Sequence, residues 1–191
     1  MAKRLSKEDR REQLLDVADS IVKDSGTEAL TLITLAEKAG VTKALTYDHF
    51  ATREGLLVQL YERYDTQVMA ATRAAVSSGA STLETAVEAV IVSYLECTCR
   101  CGHQYEAVVS ALLAYPDHHD IRVRIRDFFV EAYGEILLPF VTRKGVTPRL
   151  MFIAVFGSIE EVARSVAAGE HGAEDAAAGL TSVVVAILRD C

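Results

Sequence analysis

The chain of 191 residues has no tryptophan and only three prolines, Pro116, Pro139 and Pro148. So little proline leaves long stretches in which nothing interrupts a helix. No Gly/Ser-rich linker, internal repeat or low-complexity tract is present, so no long flexible tether between modules is expected. Long apolar runs are missing too. Leu150 to Phe156 and Val183 to Leu188 fall far short of the roughly 18 residues a membrane span requires. The N-terminus is charged and lacks the apolar stretch of a signal peptide. A cytoplasmic protein without a membrane partner is therefore expected, its thiols reduced. Alternation with period two is nearly absent, which argues against a sheet. Catalytic signatures are also lacking: no nucleophile elbow, no phosphate-binding glycine loop, no HExxH. Glu160 and Glu161 are neighbours in sequence, so on a helix they cannot face a common site. Neither an enzyme nor a cofactor is expected.

What remains is apolar content of 50%, charged content of 25% and a net charge of −7. An acidic total disfavours nucleic acid, but the distribution carries more information than the sum. Residues 1–65 hold ten Lys and Arg against twelve Asp and Glu, whereas residues 66–191 hold ten against fifteen. Within residues 1–11, Lys3, Arg4, Lys7, Arg10 and Arg11 outnumber Glu8 and Asp9. The N-terminal arm is locally basic, and most of the negative charge lies elsewhere.

Helical periodicity runs through almost the whole chain. A first helix starts at Ser6, with Asp9 in capping-box spacing, and stops at Gly26. Thr31 caps a short second helix that Gly40 breaks, and Thr42 caps a third that runs to about Phe50. A long fourth helix opens at Thr52 and ends at Ser77-Ser78-Gly79. Ser81 and Glu84 have capping-box spacing for a fifth, and Val108 to Leu113 belong to a sixth that Pro116 ends. The seventh carries Ile121 to Phe140, with His118 and His119 as exposed first-turn residues. Thr147-Pro148 starts the eighth, with proline at the first helical position. The ninth spans Leu180 to Leu188. The last two helices are apolar on more than one face, so each must be covered on two sides. One side is expected to face the chain's own core and the other a second subunit, as a four-helix interface around a two-fold axis.

A short helix, a glycine turn and a second short helix form the arrangement of a helix-turn-helix. In Leu35-Ala36-Glu37-Lys38-Ala39-Gly40-Val41, Leu35 and Ala36 pack the first helix, Gly40 turns the backbone and Val41 plugs the corner. Thr42, Lys43, Ala44 and Leu45 then stand at the end that enters a major groove. The longer stretch Thr31 to Leu60, TLITLAEKAGVTKALTYDHFATREGLLVQL, resembles the DNA-binding domain of the TetR family of bacterial regulators. The matching pieces are the threonine before the second helix and the Leu-Ala-x-x-x-Gly-Val turn. They continue with Tyr-x-His-Phe at the end of the third helix, then a small residue, a basic residue and Leu-Leu. Three departures stand out: the order Leu45-Thr46, the acidic Asp48, and Gly55 where a glutamate is common.

The resemblance implies an all-α fold of about nine helices. A helix-turn-helix domain over residues 1–52 would precede a helical effector-binding and dimerisation domain over residues 53–191. It implies a ligand-responsive transcriptional regulator, a repressor in the commoner case, released from a palindromic operator by a small molecule. Its partners would be double-stranded DNA, a second copy of the chain and that unidentified effector. Lys43, Ala44 and Leu45 would face bases, while Thr31, Thr42, Tyr47, His49 and Arg53 would hold phosphates. Chemistry agrees with that division. A lysine donates to guanine O6 and N7, and apolar side chains touch thymine methyls.

Candidates for an effector pocket are Tyr94, Tyr105, Tyr115, Phe128, Phe129 and Tyr133. Cys97, Cys99 and Cys101, with His103 two residues on, raise a different possibility. Soft thiolates so spaced could bind Cu(I) or zinc, or oxidise, giving a metal- or redox-sensing regulator or a thiol-handling helical protein without DNA. The spacing is not that of a standard structural zinc site. If the segment is extended, all four side chains lie on one side; if it is helical, Cys99 points away from Cys97 and Cys101. The remaining cysteine, Cys191, carries no expected role.

Overall fold

The structure, a computed structural model, describes residues 5–141 and 148–189. Lys3, Arg4, Thr147 and Cys191 lie outside the described residues. Among the described residues there are eight α-helices: α1 (Lys7–Ser25), α2 (Leu32–Ala39), α3 (Lys43–Phe50), α4 (Arg53–Gly79), α5 (Leu83–Leu112), α6 (Ile121–Leu137), α7 (Pro148–Ala167) and α8 (Ala173–Arg189). Short 3-10 turns occupy Thr27–Ala29, Pro116–His118 and Leu138–Phe140. Among the described residues there is no strand.

The difference from about nine helices has one cause. The expected fifth and sixth helices are a single helix of 30 residues, α5. Between Leu95 and Val108 there is no proline, Thr98 lies within the helix rather than at a start, and a lone Gly102 costs only about 1 kcal/mol in a helix interior. The start of α5 also differs. Thr82 and Thr85, rather than Ser81 and Glu84, form the reciprocal cap: the Thr85 amide donates to the Thr82 hydroxyl at 3.3 Å, and the Thr82 amide to the Thr85 hydroxyl at 3.1 Å. Glu84 instead pairs with Arg189 of α8. His118 and His119 do not open α6, which begins at Ile121. His118 closes a 3-10 turn and is buried.

The other helix starts follow their caps. Ser6 accepts from the Asp9 amide, Thr31 from the Thr34 amide and Thr42 from the Leu45 amide. The Gly55 amide donates to the Thr52 hydroxyl at 3.0 Å. Each bond satisfies a first-turn N–H that has no partner within its own helix.

The chain forms two compact units. The first comprises Met1–Asp65 and His103–Ile121, the second Thr66–Gly102 and Arg122–Cys191. In the first, Leu14, Leu15, Leu30, Leu35, Leu57 and Leu60 are almost wholly buried. In the second, Val87, Ile91, Phe129, Tyr133, Val155 and Val184 are. The α7 and α8 helices pack on one another. They are not covered on every side, however: Leu150 is 63% exposed and Val183 52%.

Candidate nucleic-acid interface

The turn between α2 and α3 depends on Gly40. It stands in the left-handed region at φ 65° and ψ 34°, and its amide closes α2 on the carbonyls of Ala36 and Glu37. Glycine adopts this conformation without the Cβ penalty other residues meet. The Val41 amide follows, donating to the Ala36 carbonyl at 3.0 Å. Thr42 then restarts the helix, so α3 is joined to α2 by only three residues.

Helix α3 divides cleanly into two faces. Thr46 and Phe50 are buried. The Thr46 hydroxyl donates to the Leu32 carbonyl at 2.9 Å and shares its proton with the Lys43 carbonyl at 2.8 Å. This contact accounts for the order Leu45-Thr46: the threonine fastens α3 to α2, and Leu45 is left half-exposed. Lys43, Ala44, Tyr47 and Asp48 are exposed on the opposite face, Tyr47 by 50%. Thr42 is exposed as well, while Thr31 and His49 are half-exposed. A face of α3 with a lysine, a methyl group and a phenol, free of packing duties, has the chemistry to read base edges and touch phosphate.

His49 shows what adjoins this face. Its basicity is lowered by burial first and then by the positive charges of Lys7 and Arg11, with Arg10 adding to them. Lys7, Arg10 and Arg11, at the start of α1, are therefore close enough to act on the charge of His49 near the end of α3. Lys7, Arg10 and Arg11 were not among the residues expected to touch DNA. Their excess over acids was visible in sequence; their placement beside His49 was not.

Arg53, for which the resemblance implies a phosphate-holding role, makes three bonds inside the first unit. Its Nε donates to the Leu30 carbonyl at 2.9 Å, Nη2 to the Thr27 carbonyl at 2.8 Å and Nη1 to the Tyr115 hydroxyl at 3.1 Å. Three of its five N–H groups are engaged within the first unit. Beside it, Glu54 pairs with His118 at 2.9 Å. Gly55 has a clear steric reason: a Cβ there would run into the Phe50 carbonyl oxygen, which the first turn of α4 closely approaches. A glutamate at this position has no room. Gln59 adds a bond from its amide to the His49 carbonyl at 3.3 Å.

The six aromatic candidates for an effector pocket do not gather in one place. Tyr94, Phe128, Phe129 and Tyr133 form a cluster in the second unit, joined by Phe156, which stacks on Phe129 at 5.1 Å. Phe156 was read only as part of an apolar helix. Tyr105 and Tyr115 belong to the first unit instead. Tyr105 meets Tyr64 edge-on at 6.0 Å. Tyr115, with Arg53, Thr27, Glu28 and Ser110, lines an open cleft of about 500 Å³.

The cysteine segment is helical. Cys97 is buried, Cys101 half-buried and Cys99 exposed. The Cys101 thiol donates to the Cys97 carbonyl at 3.2 Å, as side chains one turn apart on a helix allow. Burial pushes the Cys97 thiol up in pKa, with nearby Arg100 opposing it. His103 is exposed. This geometry turns Cys99 away from Cys97 and Cys101, and among the described residues no group of three or more His, Cys, Asp or Glu side chains could hold a metal ion.

Comparison with known proteins bears on the fold and on the stretch that holds α2 and α3. Residues 14–60 match the sequence model of the bacterial regulatory proteins, tetR family. The HTH-type transcriptional activator FasR of Mycolicibacterium smegmatis is 32% identical over 89 residues, which cover 45% of this chain and 41% of that protein. The chain thus spans about two fifths of that relative. Among solved structures, a TetR-like transcriptional regulator from Rhodococcus sp. RHA1 aligns with a TM-score of 0.67 at 22% identity, covering 95% of this chain and 96% of that one. The transcriptional regulator FadR from Bacillus subtilis, solved in complex with stearoyl-CoA, aligns with a TM-score of 0.70 at 19% identity over 93% and 97% of the two chains. These likenesses establish the shared fold.

Proposed function

From the match of residues 14–60 to the tetR family model, we propose that this chain is a TetR-family, ligand-responsive, DNA-binding transcriptional regulator. The observation that carries the reading is α3: Thr46 and Phe50 hold it to the domain, while Lys43, Ala44 and Tyr47 face outward. In this reading Lys43, Ala44 and Leu45 meet base edges. Tyr47, His49, Thr31, Thr42 and the basic arm position the helix on phosphates. Asp48 shares the exposed face and repels phosphate, so it disfavours sequences on which the backbone lies close to it.

The regulator works as a homodimer through α7 and α8. Exposed Leu150 and Val183 support this, as do exposed Ala154, Gly157, Gly179 and Ala186, small enough to let helices approach closely. A two-fold dimer presents two recognition helices to successive major grooves about 34–36 Å apart, and so selects a palindrome. An apolar effector among Tyr94, Phe128, Phe129 and Tyr133 is consistent with that cluster and with the acyl-CoA bound by the Bacillus subtilis relative. An effector that prefers a head spacing unlike that of the grooves must release DNA, by linkage. Repression relieved by the effector is the direction proposed.

The test is selection from a random duplex pool at stated salt, since phosphate contacts make affinity steeply salt-dependent. A palindrome is expected. Lys43→Ala should weaken binding to it by about 1–3 kcal/mol and relax the preference at one position per half-site. Tyr47→Phe should weaken all sequences alike. No enrichment of any sequence by the reduced wild-type protein would end the reading.

A further inference from the structure

Two side-chain bonds of unusual sequence separation meet at the first turn of α4. Arg53 reaches Tyr115, 62 residues away, and Glu54 reaches His118, 64 residues away. The segment carrying Tyr115 and His118 follows α5 and belongs to the same compact unit as the helix-turn-helix. His118 is buried, and its bond to Glu54 is part-buried. Arg53 simultaneously holds the carbonyls of Thr27, the first residue of the 3-10 turn that leads into α2, and of Leu30 just after that turn. Gly55, in the same turn, lies against the Phe50 carbonyl at the end of α3. One turn of helix thus touches the entry to α2, the exit from α3 and the segment after α5.

We propose that Tyr115 and His118 are positioning residues for DNA binding: through Arg53 and Glu54 they fix the first turn of α4, and with it the orientation of α3. The proposal rests on reading α3 as the element that enters the groove. It assigns Arg53 to an internal fork rather than to a phosphate. Arginine suits this place because its planar group presents donors in fixed directions to three acceptors at once, which a lysine does not. Neither Tyr115 nor His118 touches DNA in this scheme. Their effect is on how well α3 is held for every sequence alike.

The experiment compares the full-length protein with Tyr115→Phe, His118→Phe, Arg53→Ala and the double variant Arg53→Ala/Tyr115→Phe. Each binds a labelled duplex over a series of salt concentrations. A charge-assisted hydrogen bond is worth enough that losing it should weaken DNA binding roughly tenfold. Tyr115→Phe is expected to do so, with the double variant no weaker than Arg53→Ala alone, because the two residues act as one unit. The slope of log affinity against log salt should stay that of the wild type, since no phosphate contact is lost. If Arg53→Ala lowers that slope by about one while Tyr115→Phe binds normally, Arg53 is a phosphate ligand and the proposal falls. Amide hydrogen exchange supplies a readout that needs no DNA. Residues 43–50 should exchange faster in Tyr115→Phe and His118→Phe than in the wild type, with overall unfolding matched. Unchanged protection overturns the positioning role. Should the wild type bind no duplex, the DNA reading fails separately, and exchange still decides whether this segment orders α3.

Discussion

Asp65 offers the sharpest test of the electrostatics in this fold. It lies on α4, 5% exposed. Burial raises its pKa from 3.8 to about 7, against a hydrogen bond from Tyr105 that lowers it, with the charge of Glu62 adding to the rise. In the unfolded chain the carboxyl ionises near its ordinary value of about 3.9. Between these values the folded protein binds a proton that the unfolded chain has released. Stability therefore falls as pH rises from about 4, and the loss is complete once pH exceeds the folded value. A shift of about three units at 1.36 kcal/mol each gives a cost of order 4 kcal/mol above neutrality. Asp65→Asn keeps the shape and the carbonyl that Tyr105 needs, and removes the charge. Urea unfolding followed by helical circular dichroism should find the variant more stable than the wild type at pH 8.5, by up to about 4 kcal/mol. The difference should shrink by about 1.4 kcal/mol per unit below pH 7 and vanish near pH 4. Subtracting variant from wild type cancels the contributions of the other carboxylates. A difference that stays constant across this range would refute the reasoning, whatever its sign.

Two further outcomes follow from packing and exposure. Gly55→Ala should destabilise the protein by about 1–3 kcal/mol in the same unfolding assay, because the new methyl group displaces the Phe50 carbonyl; an unchanged midpoint would show that the start of α4 has slack. Iodoacetamide followed by peptide mapping should label Cys99 well before Cys97, since the first thiol is exposed and the second buried with its pKa raised. Equal rates at the two sites would contradict a continuous helix over residues 83–112.

Much of the helix-turn-helix was legible because its signals are local. Thr31, Thr42, Gly26 and Gly40 act within four residues of themselves, through caps and a left-handed turn. Spacing alone therefore placed the first three helices. The burial pattern of α1, with Leu14, Leu15, Ala18, Ile21 and Val22 inside, also follows from one helical period. The same logic erred at α5, where two apolar stripes with an intervening polar stretch were read as two helices. Periodicity reports which face is covered, and it lapses wherever cover is missing, though the helix continues.

What sequence did not disclose are pairings across long separations. Arg53 carries the same guanidinium whether it meets a phosphate or the carbonyls of Thr27 and Leu30; only the fold brings those carbonyls within 2.9 Å. His118 reads as a surface residue until Glu54 is found beside it. Thr46 seemed misplaced relative to Leu45, because its use depends on the Leu32 carbonyl 14 residues earlier. Gly55 belongs with these. Its missing side chain is explained by a neighbour on the preceding helix, not by any turn of its own. All four residues lie in or beside the proposed recognition unit and none presents a distinctive motif. Departures from a family pattern at such positions are therefore better traced to buried neighbours before they are charged against DNA binding. Asp48 is the exception: it is exposed on the face that would meet DNA, and no packing duty accounts for it. If it tunes which operators are tolerated, Asp48→Asn should strengthen binding to non-cognate duplex more than to the selected palindrome. It should do so most at low salt, where screening of phosphate repulsion is least.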